Sequence, residues 1–173
     1  MARQTIKAVV AVALAAAFGC GLAACMQDGA RQTATTSVPA TSRTGTGLFF
    51  VDEGGSAKLA YGLANSDDVD LMMECAKGTG RVQLTQAAGD ARAPRLTLIS
   101  SGRRADLPTT AETGEGATLL VANTTSDAAP LQSFRRSGQL MVSYADRRVG
   151  VNANADERAG VERFFAACER RVG

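Results

Sequence analysis

The stretch that most restricts how this chain can fold runs from Val69 to Cys75. Val69, Leu71, Met73 and Cys75 fall on one face of an extended strand, while Asp70, Met72 and Glu74 fall on the other. A helix would scatter the same residues around its axis, so the period of two selects a strand. Lys77-Gly78-Thr79-Gly80 then supplies the glycines a tight turn needs, and Arg81 to Thr85 continues as the partner strand. The spacing predicts an antiparallel hairpin with Cys75 pointing into the core.

The same period recurs along the chain. Leu48 to Val51 is a short apolar run, and Ala57, Leu59, Tyr61 and Leu63 alternate with Lys58, Ala60 and Gly62. Asn65-Ser66-Asp67-Asp68 is a turn cluster. Further strands are expected at Arg95 to Ser100 and at Arg103 to Leu107, ending before Pro108. Others follow at Thr118 to Ala122, after a Gly114-Glu115-Gly116 turn, and at Gln139 to Tyr144, which Asp146-Arg147 turns back into Val149 and Val151.

Two segments break this pattern. Pro130 to Arg136 reads as a short helix, with Pro in its first turn, Leu131 and Phe134 on one face and Gly138 to stop it. Near the C-terminus, Asn154 followed by Glu157 is a capping-box arrangement. Asp156 and Glu157 complement the positive end of that helix, and Arg170 and Arg171 the negative end. Val161, Phe164, Phe165, Cys168 and Val172 form one stripe at helical spacing, so Cys168 faces the sheet. The expected fold is mainly β. It is an antiparallel β-sandwich or barrel of about eight strands over residues 47–173, with a short inserted helix and a C-terminal helix.

The N-terminus belongs to a different class of sequence. Arg3 and Lys7 precede an apolar core from Ala8 to Phe18, and small residues follow. The core is shorter than the ~20 apolar residues a membrane span needs, which favours a secretory signal over an anchor helix. Its end, Leu22-Ala23-Ala24-Cys25, resembles the lipobox of bacterial lipoproteins. The resemblance implies cleavage after residue 24 and lipidation of Cys25, which tethers the chain to a membrane by acyl chains. Cys20, preceded by Ala17-Phe18-Gly19, is a poorer match because Phe is bulky. The same resemblance implies the outer membrane over the inner, since Met26 and not Asp follows the cysteine. Residues 25–46 are polar and rich in Thr, Ala and Ser, and read as a flexible tether spanning roughly 25 Å.

Removing the signal changes both the charge and the cysteine reading. Without Arg3 and Lys7, the 19 basic residues fall to the same number as the 17 acidic ones. A neutral chain carries no electrostatic footprint for nucleic acid. Cys20 leaves and Cys25 takes lipid, so the lipoprotein resemblance leaves Cys75 and Cys168 as a pair in an oxidising compartment. That implies one disulfide, and the two faces worked out above both direct these residues to the core.

The chemistry is limited by what is absent. There is no histidine, which excludes Ser-His-Asp and Cys-His systems and His-ligated zinc. Asp70 and Glu74 share a strand face but lie roughly 13 Å apart along it, beyond the roughly 5–9.5 Å of glycosidase pairs. Asp67 with Asp68, or either of them with Asp52 or Glu53 across a loop, stays open as a carboxylate pair. Asn65, Asp67, Asp68 and Asp70 offer oxygens to calcium, but they lack the spacing of an EF-hand loop. Such residues at a turn more often bond their own backbone. Ser56 and Lys58 depart from the Ser-x-x-Lys of penicillin-binding enzymes in spacing and context. The pairs Arg103/Arg104, Arg135/Arg136, Arg147/Arg148 and Arg170/Arg171 form either a solvated surface or an anion-binding patch, depending on the fold. No catalytic residue, cofactor or metal is assigned.

The Phe164-Phe165-Ala166-Ala167-Cys168 finish is similar to that of small periplasmic β-domain proteins of proteobacteria. The plan of lipid anchor, small β domain and single disulfide also resembles the membrane-bound c-type lysozyme inhibitors. Ser101-Gly102-Arg103-Arg104-Ala105 and Ser137-Gly138-Gln139-Leu140-Met141 nevertheless lack the Tyr of their Ser-Gly-x-x-Tyr element. The expectation is a non-enzymatic binding or assembly module on the periplasmic side of the cell envelope, held to the membrane through Cys25, with an envelope protein or peptidoglycan as partner. The alternative is an inhibitor of an envelope-directed hydrolase such as a lysozyme, and after it a carboxylate- or cation-dependent hydrolase.

Overall fold

A computed structural model describes residues 45–113 and 117–169. The signal segment, Cys25, nearly all of the tether, the Gly114-Glu115-Gly116 turn, Arg170, Arg171 and Val172 lie outside the described residues.

Among the described residues, nine strands and two helices follow in the order β1 (Thr46–Glu53), β2 (Ser56–Leu63), β3 (Val69–Ala76), β4 (Arg81–Gly89), β5 (Arg95–Ser100), β6 (Arg103–Thr113), β7 (Thr118–Thr125), α1 (Ala129–Ser137), β8 (Gln139–Tyr144), β9 (Arg147–Asn152) and α2 (Ala155–Cys168). The strands form one sheet in the order β1-β2-β3-β4-β7-β6-β5-β8-β9, curled into a near-closed barrel. The β5–β6–β7 meander, with β8 returning over α1 to lie beside β5, is a Greek key.

Every neighbouring pair is antiparallel. With an odd number of strands, the edge strands β1 and β9 therefore run in the same direction, and an antiparallel ladder cannot join them. Helix α2 packs along the β1 side of that seam. Its capping-box Glu157 accepts from the Asn154 backbone N–H at 2.8 Å through Oε2 and from the Leu48 N–H at 3.0 Å through Oε1. One carboxylate thus caps the helix and satisfies an edge donor of the sheet. Gly160 permits the close approach, since a side chain there would lie 3.3 Å from Phe50 Cβ. The Arg163 guanidinium sits 4.8 Å over the Phe50 ring.

The expected hairpin is present: Leu71, Met73 and Cys75 are buried, as are Val82 and Leu84 opposite them. The Cys75–Cys168 disulfide joins β3 to the end of α2. Leu131 and Phe134 of α1 and Val161, Phe164 and Phe165 of α2 complete the main core, with Phe165 set edge-on to both Phe134 and Phe164. Gly138 (φ 73) ends α1 as expected.

Strands β1, β4 and β7 extend beyond the stretches read from the sequence, and three further details differ. Strand β6 does not stop at Leu107 but runs through Pro108 to Thr113. Pro108 sits where β6 changes partner, from β5 for residues 103–108 to β7 for residues 109–113, so its missing N–H interrupts no ladder. A bulge at Tyr61/Gly62 buries Gly62 and leaves Leu63 half-buried. The β8–β9 turn is Ala145-Asp146, which places Arg147 inside β9.

Candidate functional site

The residues singled out in the sequence do not converge on one site. Cys75 and Cys168 are buried and bonded to each other, which removes them from thiol chemistry. Asp67 and Asp68 lie at the β2–β3 turn, at the opposite end of the strands from Asp52 and Glu53, so no carboxylate pair forms there. The Asn65 to Asp68 turn bonds itself, with the Asp68 N–H donating to Ser66 Oγ and the Val69 N–H to the Asp67 carbonyl. Among the described residues, no group of three His, Cys, Asp or Glu side chains is placed to hold a metal. Lys58 is engaged by Glu53 at 2.6 Å, and this hydrogen bond holds its ammonium above the ordinary lysine range. Lys77 pairs with Asp52, and its hydrogen bond pulls that carboxyl below the usual value.

The arginine pairs among the described residues are also dispersed. Arg135 binds Glu162 at 2.8 Å and also binds Glu169, linking the two helices. Arg147 donates to the Ala88 carbonyl and to Asp90. Arg104 pairs with Asp106, which also accepts from Thr97.

Two interior features have structural explanations. Gln86 is fully buried, and its Nε2 donates to the Asp70 carbonyl at 2.7 Å and the Ala87 carbonyl at 3.0 Å. Tyr144 donates to the same Ala87 carbonyl. Bulges at Tyr61/Gly62 and Ala87/Gly89 disrupt the ladder beside these carbonyls, and the two side chains replace the missing donors. Burial in this small cluster pushes the Tyr144 phenol up, with Arg147 opposing. A pocket of about 540 Å³ beside α1 is lined by Asp127, Gln132 and Glu169. Both carboxylates in it are already engaged, Asp127 by Thr125 and Glu169 by Arg135.

The surface without such an explanation is the outer face of the long sheet. Phe49 opposes Ala60, Ala60 opposes Met72, Met72 opposes Thr85, and Thr85 opposes Val121. This row crosses five neighbouring strands in register, about 20 Å at ordinary strand spacing. Leu119 and Ala87 form part of the next row on one side, and Val51 begins the row on the other. Phe49 and Val51 are the exposed large apolar residues of the described chain, at 40% and 42%. Glu74 and Glu112 flank the band, and Lys58 is held between Glu53 and Glu74. A contiguous apolar band with a polar rim is what a protein-binding surface presents.

No known family, curated protein or solved structure matches this chain. Sequence reasoning placed Met72 off the core face but missed the band. That band exists only through the cross-strand register, which a single strand does not reveal.

Proposed function

We propose that this chain is a lipid-anchored protein of the cell envelope, held through Cys25, whose barrel is a non-enzymatic binding or assembly module. The observation that carries this reading is the outward row from Phe49 to Val121, with Phe49 and Val51 left exposed beside it. Exposing this much apolar side chain in one band costs hydration free energy, which a docked surface recovers. An inhibitor of an envelope-directed hydrolase would place its contact on a projecting loop, and among the described residues the connections between neighbouring hairpin strands run from two residues (β1–β2, β5–β6, β8–β9) to five (β2–β3). A carboxylate-dependent hydrolase needs two unengaged acids in one cleft, and Asp127 and Glu169 each have a partner.

The anchor is tested by Cys25→Ser. The variant should keep the wild-type circular dichroism spectrum and move from the membrane fraction to the soluble periplasmic fraction. Continued sedimentation with membranes in high salt and carbonate would contradict the lipid tether.

A further inference from the structure

We propose that the Phe49–Val121 band docks onto the opposite face of the barrel of a second copy, so that the protein assembles head to tail. The inference rests on the reading of that band as a binding surface and names its occupant.

The receiving face is the outside of β6, β5, β8 and β9. There Arg104 opposes Ile99, Ile99 opposes Met141, and Met141 opposes Gly150, a second in-register row with an apolar centre. Gly150 contributes no side chain, and a shallow groove of about 280 Å³ opens over Ile99, Met141 and Gly150. Such a groove accepts apolar side chains, and Phe49 and Val51 are the exposed large apolar residues of the described chain.

Charge favours the same match. The donor band is bordered by Glu74 and Glu112, with Lys58 shared between Glu53 and Glu74 and with Arg81 farther along β4, which leaves the acids in excess. The receiving groove is bordered by Arg104 and Arg148, with Arg95 beyond them and Asp106 taken by Arg104 and Thr97. The barrel thus presents an acid-rimmed apolar band on one side and an arginine-rimmed apolar groove on the other. Complementary rims of this kind orient an encounter and set its register.

In the strand order, β3 at the centre of the band and β5 and β8 at the centre of the groove lie about half-way around the barrel from each other. The two faces therefore point in opposite directions. A contact between unlike faces that does not close on itself repeats into an open row instead of stopping at a dimer. Copies tethered to one membrane would form such rows in its plane.

The test replaces Val51 in the full-length chain with p-benzoylphenylalanine and irradiates the protein in mild detergent. The crosslinked peptides are then mapped by mass spectrometry. The expected product is a covalent dimer and higher multiples, with the second attachment site within residues 95–104 or 139–152. Arg104→Glu with Arg148→Glu in the same chain should lower that yield about tenfold, reversing two rim charges while leaving the band intact. A crosslink to a different protein would overturn the second copy as occupant and leave the band standing as a binding surface. A crosslink between two copies of the band itself would overturn the head-to-tail arrangement. Absence of any polypeptide crosslink would overturn this inference together with the binding-surface reading.

Discussion

Replacing Cys75 and Cys168 together by alanine is expected to lower the unfolding free energy by about 3–5 kcal/mol. The disulfide spans 93 residues of chain, so its loss releases a large loop-closure entropy to the unfolded state. Both sulfurs are buried, and removing them also leaves small cavities between β3 and α2. The helix end does not detach outright. The Gly78 N–H still donates to the Ala167 carbonyl at 2.9 Å and the Gly80 N–H to the Cys168 carbonyl at 2.8 Å, both backbone bonds that survive the substitutions. A single transition at lower denaturant is therefore expected. A domain of this size has roughly 5–15 kcal/mol in total, so the variant becomes marginal. The chain has no tryptophan, which makes guanidinium titration followed by far-ultraviolet circular dichroism the suitable measurement. A loss below about 1 kcal/mol would show that closing the loop between β3 and α2 does not stabilise the fold.

Phe165→Ala is expected to cost about as much, 3–5 kcal/mol by cavity formation. Phe165 is fully buried and lies edge-on to Phe164 at 5.4 Å and to Phe134 at 6.4 Å, with Arg135 at 5.7 Å from its centroid. It is where α1, α2 and the strand core meet, and the rigid barrel leaves little room for collapse into the gap. Phe134→Ala combined with Phe165→Ala should cost less than the sum of the two by about 0.5–1.5 kcal/mol, the coupling of an aromatic pair. Full additivity in denaturation would mean that the two helices cap the barrel independently.

Local features were legible wherever one element determined its own pattern. The alternation from Leu71 to Cys75 and from Gln139 to Tyr144, and the stripe from Val161 to Cys168, needed only the periods of two and 3.6, whereas Val69, expected on the core face, is half-buried beside the bulge at Tyr61/Gly62. The Asn154–Glu157 capping box was equally local, and both of its hydrogen bonds are made. What the sequence reading missed depends on partners. Pro108 marks a strand end unless it is known that β6 changes partner there. Leu63 continues the alternation of β2 until the bulge at Tyr61/Gly62 shifts it. The second role of Glu157, on Leu48, joins residues 109 positions apart. The apolar band is the extreme case, because it takes one or two residues from each strand and is continuous only in the assembled sheet.

The central claim is that the outer face of β1, β2, β3, β4 and β7 binds another polypeptide at the membrane. The most direct measurement co-expresses a tagged full-length chain with an untagged copy, solubilises the envelope in mild detergent and quantifies what is retained on the tag. This is repeated with Phe49→Lys and Met72→Lys in both copies, outward substitutions that leave the core residues in place. The account predicts near-equal recovery of a second polypeptide with the wild type and its loss, by about tenfold or more, with the substituted chain. Equal recovery from both, or recovery of the tagged chain alone in both, would contradict it.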